Sequence, residues 1–260
     1  MQRQRVVATI EARMGATRLP GKMALELAPG LPALGAVIQR VRAAPRIDEV
    51  VVATSTEARD GAIVAIADRF GVRAFRGSED DVLGRVVGAG AFAGADVLVL
   101  VTGDCSCISP MILDAGIALF FERGCDLLSN CLEDTFPPGI DVQVVRFPAL
   151  QRAYAMAQEE PYRSDRNNFE HVNYFIRNHP NAFSIYHYTA PPRYHRPNLE
   201  LLLDTPTDLA IMRAIYARLH PQNPRFDLDD LLTFADREPE IFLRAQRQQI
   251  NRVGYTTERA

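Results

Sequence analysis

The residues best placed to do chemistry in this 260-residue chain lie near its start. The apolar run Val6-Val7-Ala8-Thr9-Ile10 empties into Glu11-Ala12-Arg13-Met14-Gly15-Ala16-Thr17-Arg18-Leu19-Pro20-Gly21-Lys22. Guanidinium and ammonium groups neutralise phosphate oxygens, and Arg13, Arg18 and Lys22 lie close together in this stretch. Gly15 and Gly21 let the backbone come near a ligand or take positive φ, and Pro20 restrains the loop. Such a loop suits a ligand with several negative charges, a triphosphate for example. It is not a Walker A motif: Gly21 follows Gly15 by six positions where that pattern needs five, and no Ser or Thr follows Lys22. Nor is it a dinucleotide fingerprint. On charge alone it reads equally well as a solvated basic loop.

Two carboxylates complete a possible site. Asp104 follows the apolar run Asp96–Val101 and is preceded by Gly103. A carboxylate there can hold a hard cation, since Mg²⁺ usually takes one or two carboxylates plus phosphate oxygens; it can equally cap a turn. Asp204 follows Leu199-Glu200-Leu201-Leu202-Leu203 and precedes Thr205-Pro206, where it can equally serve the N-terminal dipole of a helix. Two carboxylates at strand ends and one basic glycine-containing loop form the set that a metal-dependent nucleotidyl transferase requires. Cys105, Cys107, Cys125 and Cys131 include no CxxC pair and have no nearby histidine partner, so they read as reduced thiols packed as small apolar groups.

The elements that must position these residues alternate through the first half. Val6–Ile10, Glu49–Thr54, Val72–Phe75 and Asp96–Val101 read as strands. Ala33–Val41, Ala58–Phe70, Asp80–Ala91 and Pro110–Phe121 read as helices, with Gly71 as a C′ glycine. Near-continuous apolar strands alternating with helices predict an α/β fold: a mostly parallel, Rossmann-like sheet covered on both faces. Ligands of such sheets lie beyond the carboxyl ends of the strands, where both the basic loop and Thr102-Gly103-Asp104 fall. After Ser129 the pattern loosens. Ile140–Arg146 alternates like a half-exposed strand, and Ser184–Tyr188 and Leu199–Leu203 read as strands. Leu150–Ala157, Phe169–Ile176, Pro206–Leu219, Leu228–Ala235 and Glu238–Ala245 read as helices, with Thr205 as N-cap and Pro206 at N1. Glu159–Asn168 reads as an exposed polar loop. The expectation is a single domain over 1–260 with a smaller inserted lobe at about 130–200.

Bulk composition narrows the class. The chain is 47% hydrophobic, enough for a sizeable core without metals or disulfides. A formal net charge of −3 argues against a nucleic-acid surface, which needs a basic stripe. Neither a secretory signal nor a membrane-length apolar stretch is recognised, so the expected location is the cytoplasm, with no membrane partner.

Several segments carry a resemblance. Glu11–Lys22 resembles the opening motif of the CMP-sugar cytidylyltransferases, which include the CMP-ulosonate synthetases and, more closely, a spore-coat polysaccharide cytidylyltransferase-like branch. Val52-Ala-Thr-Ser-Thr56, Phe75-Arg-Gly-Ser-Glu-Asp-Asp-Val-Leu83, Thr102-Gly-Asp-Cys105, Pro138-Gly-Ile-Asp-Val142, Glu170-His-Val172 and Leu203-Asp-Thr-Pro-Thr-Asp-Leu209 follow in that branch's order. The resemblance implies a fold of the nucleotide-diphospho-sugar transferase type. It also implies a Mg²⁺-dependent transfer of CMP from CTP to a small acidic sugar-like acceptor, with release of pyrophosphate. By the same resemblance Ala12, Arg13, Gly15, Arg18, Lys22, Ser78 and Arg85 would bind the nucleotide. Arg13, Lys22, Asp104 and Asp204 would be catalytic, and the two aspartates would hold the metal. Asp141, Glu170 and His171 would face the acceptor, His171 as a contact rather than a base. A homodimer is typical of the ulosonate relatives, and Ile140–Val145 offers a stretch for one.

The chain departs from that pattern at identifiable places. Glu11 stands where relatives often have Gln or Pro. Ser106-Cys107-Ile108-Ser109-Pro110 replaces a "PLIDP" segment. Glu200-Leu201-Leu202-Leu203-Asp204 lacks the Arg and aromatic of "RWTVD", which suggests a different acceptor, such as a cationic or amino-bearing one. Arg163 and Arg166 lie in a polar insertion that could restore an anion contact. Two other readings compete. A glycosyltransferase of the same architecture could use Asp227-Leu-Asp229, although that pair looks like a helix start. A non-catalytic nucleotide-binding relative would have no need of both metal carboxylates.

Overall fold

A computed structural model describes residues 3–242. The strands are β1 Val6–Glu11, β2 Glu26–Ala28, β3 Leu31–Pro32, β4 Glu49–Ser55, β5 Arg73–Gly77, β6 Val97–Thr102, β7 Leu127–Ser129, β8 Gln143–Arg146 and β9 Ile185–His187. The helices are α1 Ala33–Arg42, α2 Gly61–Arg69, α3 Val82–Ala93, α4 Pro110–Arg123, α5 Phe147–Ala157, α6 Asn167–Glu170, α7 Tyr174–Asn178, α8 Pro206–Leu219 and α9 Leu228–Arg237.

Seven strands form one sheet in the order β5-β4-β1-β6-β8-β7-β9. β5, β4, β1 and β6 are mutually parallel; β8 is antiparallel to both β6 and β7, and β9 is parallel to β7. Side chains alternate along each strand. Val6, Ala8 and Ile10 therefore enter one core with α1, α2, α4, α8 and α9, while Val7 enters a second core with α3, α5 and α7. Burial on both faces explains why these strands are apolar throughout. β8 and β9, at the two ends of residues 143–187, belong to this same sheet, with α5 packed beside α3.

Four segments differ from the sequence expectation. Residues 58–70 split into a 3₁₀ turn, Ala58–Asp60, and α2, because the Asp60 side chain is drawn toward Ser55 and Met14. Phe169–Ile176 is two short helices rather than one; between them Asn173 donates to Gln143 on β8. Ile140–Val145 is not half-exposed. Ile140, Val142, Val144 and Val145 are all buried, the last two because β8 lies inside the sheet with a core on each face, so the apolar side chains of this stretch are taken up by the chain's own core. Leu199–Leu203 forms no strand. It crosses the carboxyl rim of the sheet, and its amides bond to loops: Leu201 N–H donates to Pro138 O at 2.8 Å and Leu203 N–H to Asp104 O at 3.0 Å. Helix is present at residues 239–242; the remainder of the expected helix to Ala245 lies outside the described residues.

The crossing segment is seated on Gly139, which has φ +99°. A Cβ there would stand 2.5 Å from the Leu201 carbonyl oxygen, closer than any real contact. Gly139→Ala should lower stability by about 2 kcal/mol or more, read as a reduced midpoint of urea unfolding at unchanged slope. An unaltered midpoint would show that Leu201 does not constrain this turn.

Candidate active site

The parallel strands end along one rim, and their termini set the order of the functional groups. Moving outward from β6 to β5, the rim carries Asp104, Glu11, Ser55 and Gly77. Gly103 brings two of these ends together: its N–H donates to Glu11 O at 2.8 Å, and a Cβ on it would meet that oxygen at 2.9 Å and Met23 Sδ at 2.7 Å. Asp104 is thereby held beside the end of β1.

Asp204 reaches the same place from far along the chain. The Leu203–Asp104 backbone bond fixes its approach. A capping box at α8 fixes its backbone, with Asp208 accepting from both Asp204 N–H (3.1 Å) and Thr205 N–H (2.8 Å). The Lys22 ammonium then lies between the two carboxylates, 3.1 Å from Asp104 Oδ2 and 2.7 Å from Asp204 Oδ1. Arg18 adds a contact to Asp204 at 2.7 Å. Burial works against the charge on Lys22, but Asp104 and Asp204 outweigh it and hold its pKa above the ordinary value.

The basic loop is anchored by a residue that the sequence reading did not single out. Asp60 is completely buried. It accepts from the Met14 N–H at 2.7 Å and from Ser55 Oγ, so it pins the loop's backbone to the end of β4. Ala12 is buried, and its N–H donates to Ala53 O. Gly15 packs on the Arg59 guanidinium, where a Cβ would meet Nη2 at 3.0 Å. Arg59 pairs with Glu79, and Arg13 approaches the same carboxylate at 3.9 Å. Gly21 takes φ +70° and leads into the turn carrying Lys22. Arg13 and Arg18 are exposed, in keeping with side chains that meet a ligand from solvent.

Ser78 and Arg85 lie across from the loop. Ser78 is exposed and accepts from Asp81 N–H. Arg85 is 4% exposed, its stem lies against Gly77, and its Nη1 donates to the carbonyls of Ser78 and Glu79. Its Nε–H is buried and has no acceptor among the described residues. The Glu11 carboxyl feels the charges of both Arg85 and Asp104. Desolvation raises its pKa to about 7, against the pull of Arg85 and with a push from Asp104.

On the other side of Asp104, Asp141 accepts from Gly139 N–H at 3.2 Å, and the Cys105 thiol lies 3.8 Å from its carboxylate. Burial lifts Asp141 to about 6 despite that amide, and Asp104 lifts it further. Cys105, Cys107 and Cys125 are buried, and all four cysteines are free thiols. Glu170 pairs with Arg166, and His171 is exposed beside Tyr174. Among the described residues, neither has a polar contact with the Asp104–Lys22–Asp204 group. Arg163 is exposed. Glu200 is buried, 8% exposed, which takes it off the open rim. Gln143 and Asn173, joined to each other at the rim end of β8, were not foreseen. Asp227 caps α9 and accepts from Ser109 and Met111 N–H, so the Asp227–Asp229 pair starts a helix.

The site thus combines convergent carboxylates, three cations and a loop fastened over the end of a parallel sheet. A family model described as cytidylyltransferase matches residues 7–233. The chain belongs to the cytidylyltransferase family. This cytidylyltransferase is 32% identical over 242 residues to the spore coat polysaccharide biosynthesis protein SpsF of Bacillus subtilis, covering 90% of this chain and 95% of that one. It is 36% identical over 120 residues to a 3-deoxy-manno-octulosonate cytidylyltransferase of Geobacter sulfurreducens, 45% of this chain and 46% of that one. A solved cytidylyltransferase from Leptospira borgpetersenii superposes with a TM-score of 0.84 at 28% identity, covering 92% of this chain and 97% of that chain. The enzyme class and the fold expected from the motifs are therefore both met.

No helix among the described residues is long and apolar enough to cross a membrane. Asp141 supplies a pH test. Its folded pKa, about 6, exceeds the ordinary value of 3.8, so the folded state loses stability as pH rises between these values and bears the full cost above them. Asp141→Asn should stabilise the protein at pH 7.5 by on the order of 2–3 kcal/mol. The gain should shrink as pH falls toward 4, followed by chemical denaturation at each pH. A gain independent of pH would show that the carboxyl is not desolvated.

Proposed function

We propose that this enzyme transfers CMP from CTP to a small acidic sugar-like acceptor, with Mg²⁺ held by Asp104 and Asp204, and that the product serves surface-polysaccharide or glycoconjugate synthesis. The observation that carries the metal reading is the convergence of two carboxylates on one cation position, taken here by the Lys22 ammonium. Carboxylate oxygens are the donors a hard divalent ion prefers, and two of them leave further positions for phosphate oxygens. The names of the relatives support the cytidylyl chemistry and the polysaccharide setting.

In the reaction an acceptor oxygen attacks the α-phosphorus of CTP, the bond to the bridging oxygen breaks, and pyrophosphate leaves. When bound, Mg²⁺ supplies charge neutralisation at the phosphate oxygens. Lys22 exchanges its carboxylate contacts for phosphate oxygens, while Arg13 and Arg18 approach the triphosphate from the open side. Asp60 keeps the loop's amides in place before the substrate arrives, so little reorganisation accompanies the transfer. Asp141 and the Gln143–Asn173 pair would line the acceptor side, with Glu170 at the end of α6 and His171 just after it placed to meet the acceptor from farther out.

The direct test mixes the protein with Mg²⁺, each of the four nucleoside triphosphates and a panel of acidic sugars, and measures pyrophosphate. CTP-dependent release with one acceptor is expected; no turnover and no CTP binding would refute the proposal. Asp104→Asn and Asp204→Asn should each reduce release by about 10²-fold or more without lowering the thermal midpoint below that of the parent. Full activity in Asp204→Asn would eliminate the two-carboxylate metal site.

A further inference from the structure

The turn from Ser78 to Asp81 joins β5 to α3 on the β5 side of the rim. It stands against the basic loop, since Glu79 pairs with Arg59 and is approached by Arg13 at 3.9 Å. Arg85 Nη1 donates to the carbonyls of Ser78 and Glu79. At the end of the turn Asp81 caps α3, one carboxylate oxygen accepting from Gly84 N–H at 2.7 Å. The backbone N–H of Asp81 donates to Ser78 Oγ at 3.1 Å. That bond occupies a lone pair of the hydroxyl and leaves its proton free to be donated elsewhere. Ser78 is exposed, so a ligand can reach this donor.

A helix cap uses one oxygen of an aspartate. The other oxygen of Asp81 is taken by Tyr154, whose hydroxyl donates to Oδ2 at 2.7 Å. Tyr154 lies on α5, 73 positions along the chain from its partner. A hydroxyl bonded to an ionised carboxylate is among the stronger hydrogen bonds of a protein. Burial and the Asp81 charge push the phenol up to about 12, so it stays a donor at neutral pH. Gly84 is fitted to the pair: a Cβ there would overlap Asp81 Oδ2 and stand 2.6 Å from the Tyr154 hydroxyl oxygen. Donors on both oxygens fix the plane of the carboxylate, which the cap alone would leave free to turn.

We propose that Tyr154 is a positioning residue for the nucleotide: by holding Asp81 it fixes the turn that presents the Ser78 hydroxyl to an oxygen of bound CTP. Tyr154 acts through Asp81 and Ser78 without touching the nucleotide. Asp81 keeps its bond to Gly84 when Tyr154 is removed, so the turn loosens while α3 retains its cap. A donor held in place before the ligand arrives spares the ordering cost at binding. Tyr154 also ties this turn to α5, which packs against both α3 and α7.

The inference rests on the cytidylyl-transfer reading, and one set of titrations separates the two. CTP affinity is measured by calorimetry with Mg²⁺ for the parent, Tyr154→Phe, Ser78→Ala and the double variant, each at a temperature where its melt shows a folded protein. Tyr154→Phe should weaken CTP by about threefold to tenfold. Ser78→Ala should weaken it at least as much, and adding Tyr154→Phe to Ser78→Ala should cost no further affinity. A tyrosine that only supports the fold would lower affinity by the same factor in both backgrounds, and that result overturns the assignment. Parental affinity in either single variant overturns it as well. In those cases the parent still binds CTP and the transfer reading stands. A folded parent that binds no CTP refutes the transfer reading, and this assignment with it.

Discussion

Two carboxylates far apart in the chain, Asp104 and Asp204, are forced together at one rim, and the Lys22 ammonium between them makes that arrangement tolerable. Asp104 and Asp204 would repel one another if bare, more strongly as water is excluded. With Lys22 at 3.1 and 2.7 Å the cluster carries one net negative charge instead of two, and Arg18 shares the remainder. On the proposed reading, a divalent ion would take the position that the ammonium holds, because a position attractive to an ammonium is attractive to a smaller and more highly charged cation. The rest of the rim follows from this demand. Gly103 brings β1 and β6 close enough, the Leu203–Asp104 bond brings the distant segment in, and Asp208 stops Asp204 from turning away.

Charge also divides the rim by function. Toward β5 the cations Arg13, Arg59 and Arg85 are interleaved with carboxylates and carbonyls, among them Glu79 and Asp60. Toward β8 the groups are Asp141, two thiols, and the Gln143–Asn173 pair. The first set suits an anionic nucleotide. In the second, burial lifts the Asp141 carboxyl to about 6.

Much of this was legible in the residues. Continuous β-branched runs announced β1, β4 and β6, and turn residues placed Asp104 and the basic loop at their carboxyl ends. Thr205-Pro206 marked the start of α8, where a capping box is found. What failed did so for local reasons. Leu199–Leu203 has the composition of a strand, but an apolar run looks alike whether its amides join a ladder or bond to loops. Ile140–Val145 alternated in polarity, yet Val145 faces the second core and β8 is interior. Asp60 could not be read at all, since its partner Met14 is 46 positions away and only the fold brings them together. Glu11 was visible as an oddity, and its surroundings give it a setting: a carboxyl that feels the charges of both Arg85 and Asp104.

The lack of a ladder around Leu199–Leu203 has an effect on how the protein breathes. Asp104 is continuous with β6, a buried strand of the sheet, while Asp204 belongs to a segment outside any ladder, whose Leu201 and Leu203 amides bond to loops. A segment outside the ladder opens at lower cost than the sheet beneath it. One carboxylate is therefore rooted and the other is hinged, so the two halves of the site differ in local stability although they share a single cation. A nucleotide and its metal, bound across that seam, would act as a clasp between two regions of unequal firmness and would add to the stability of the weaker one.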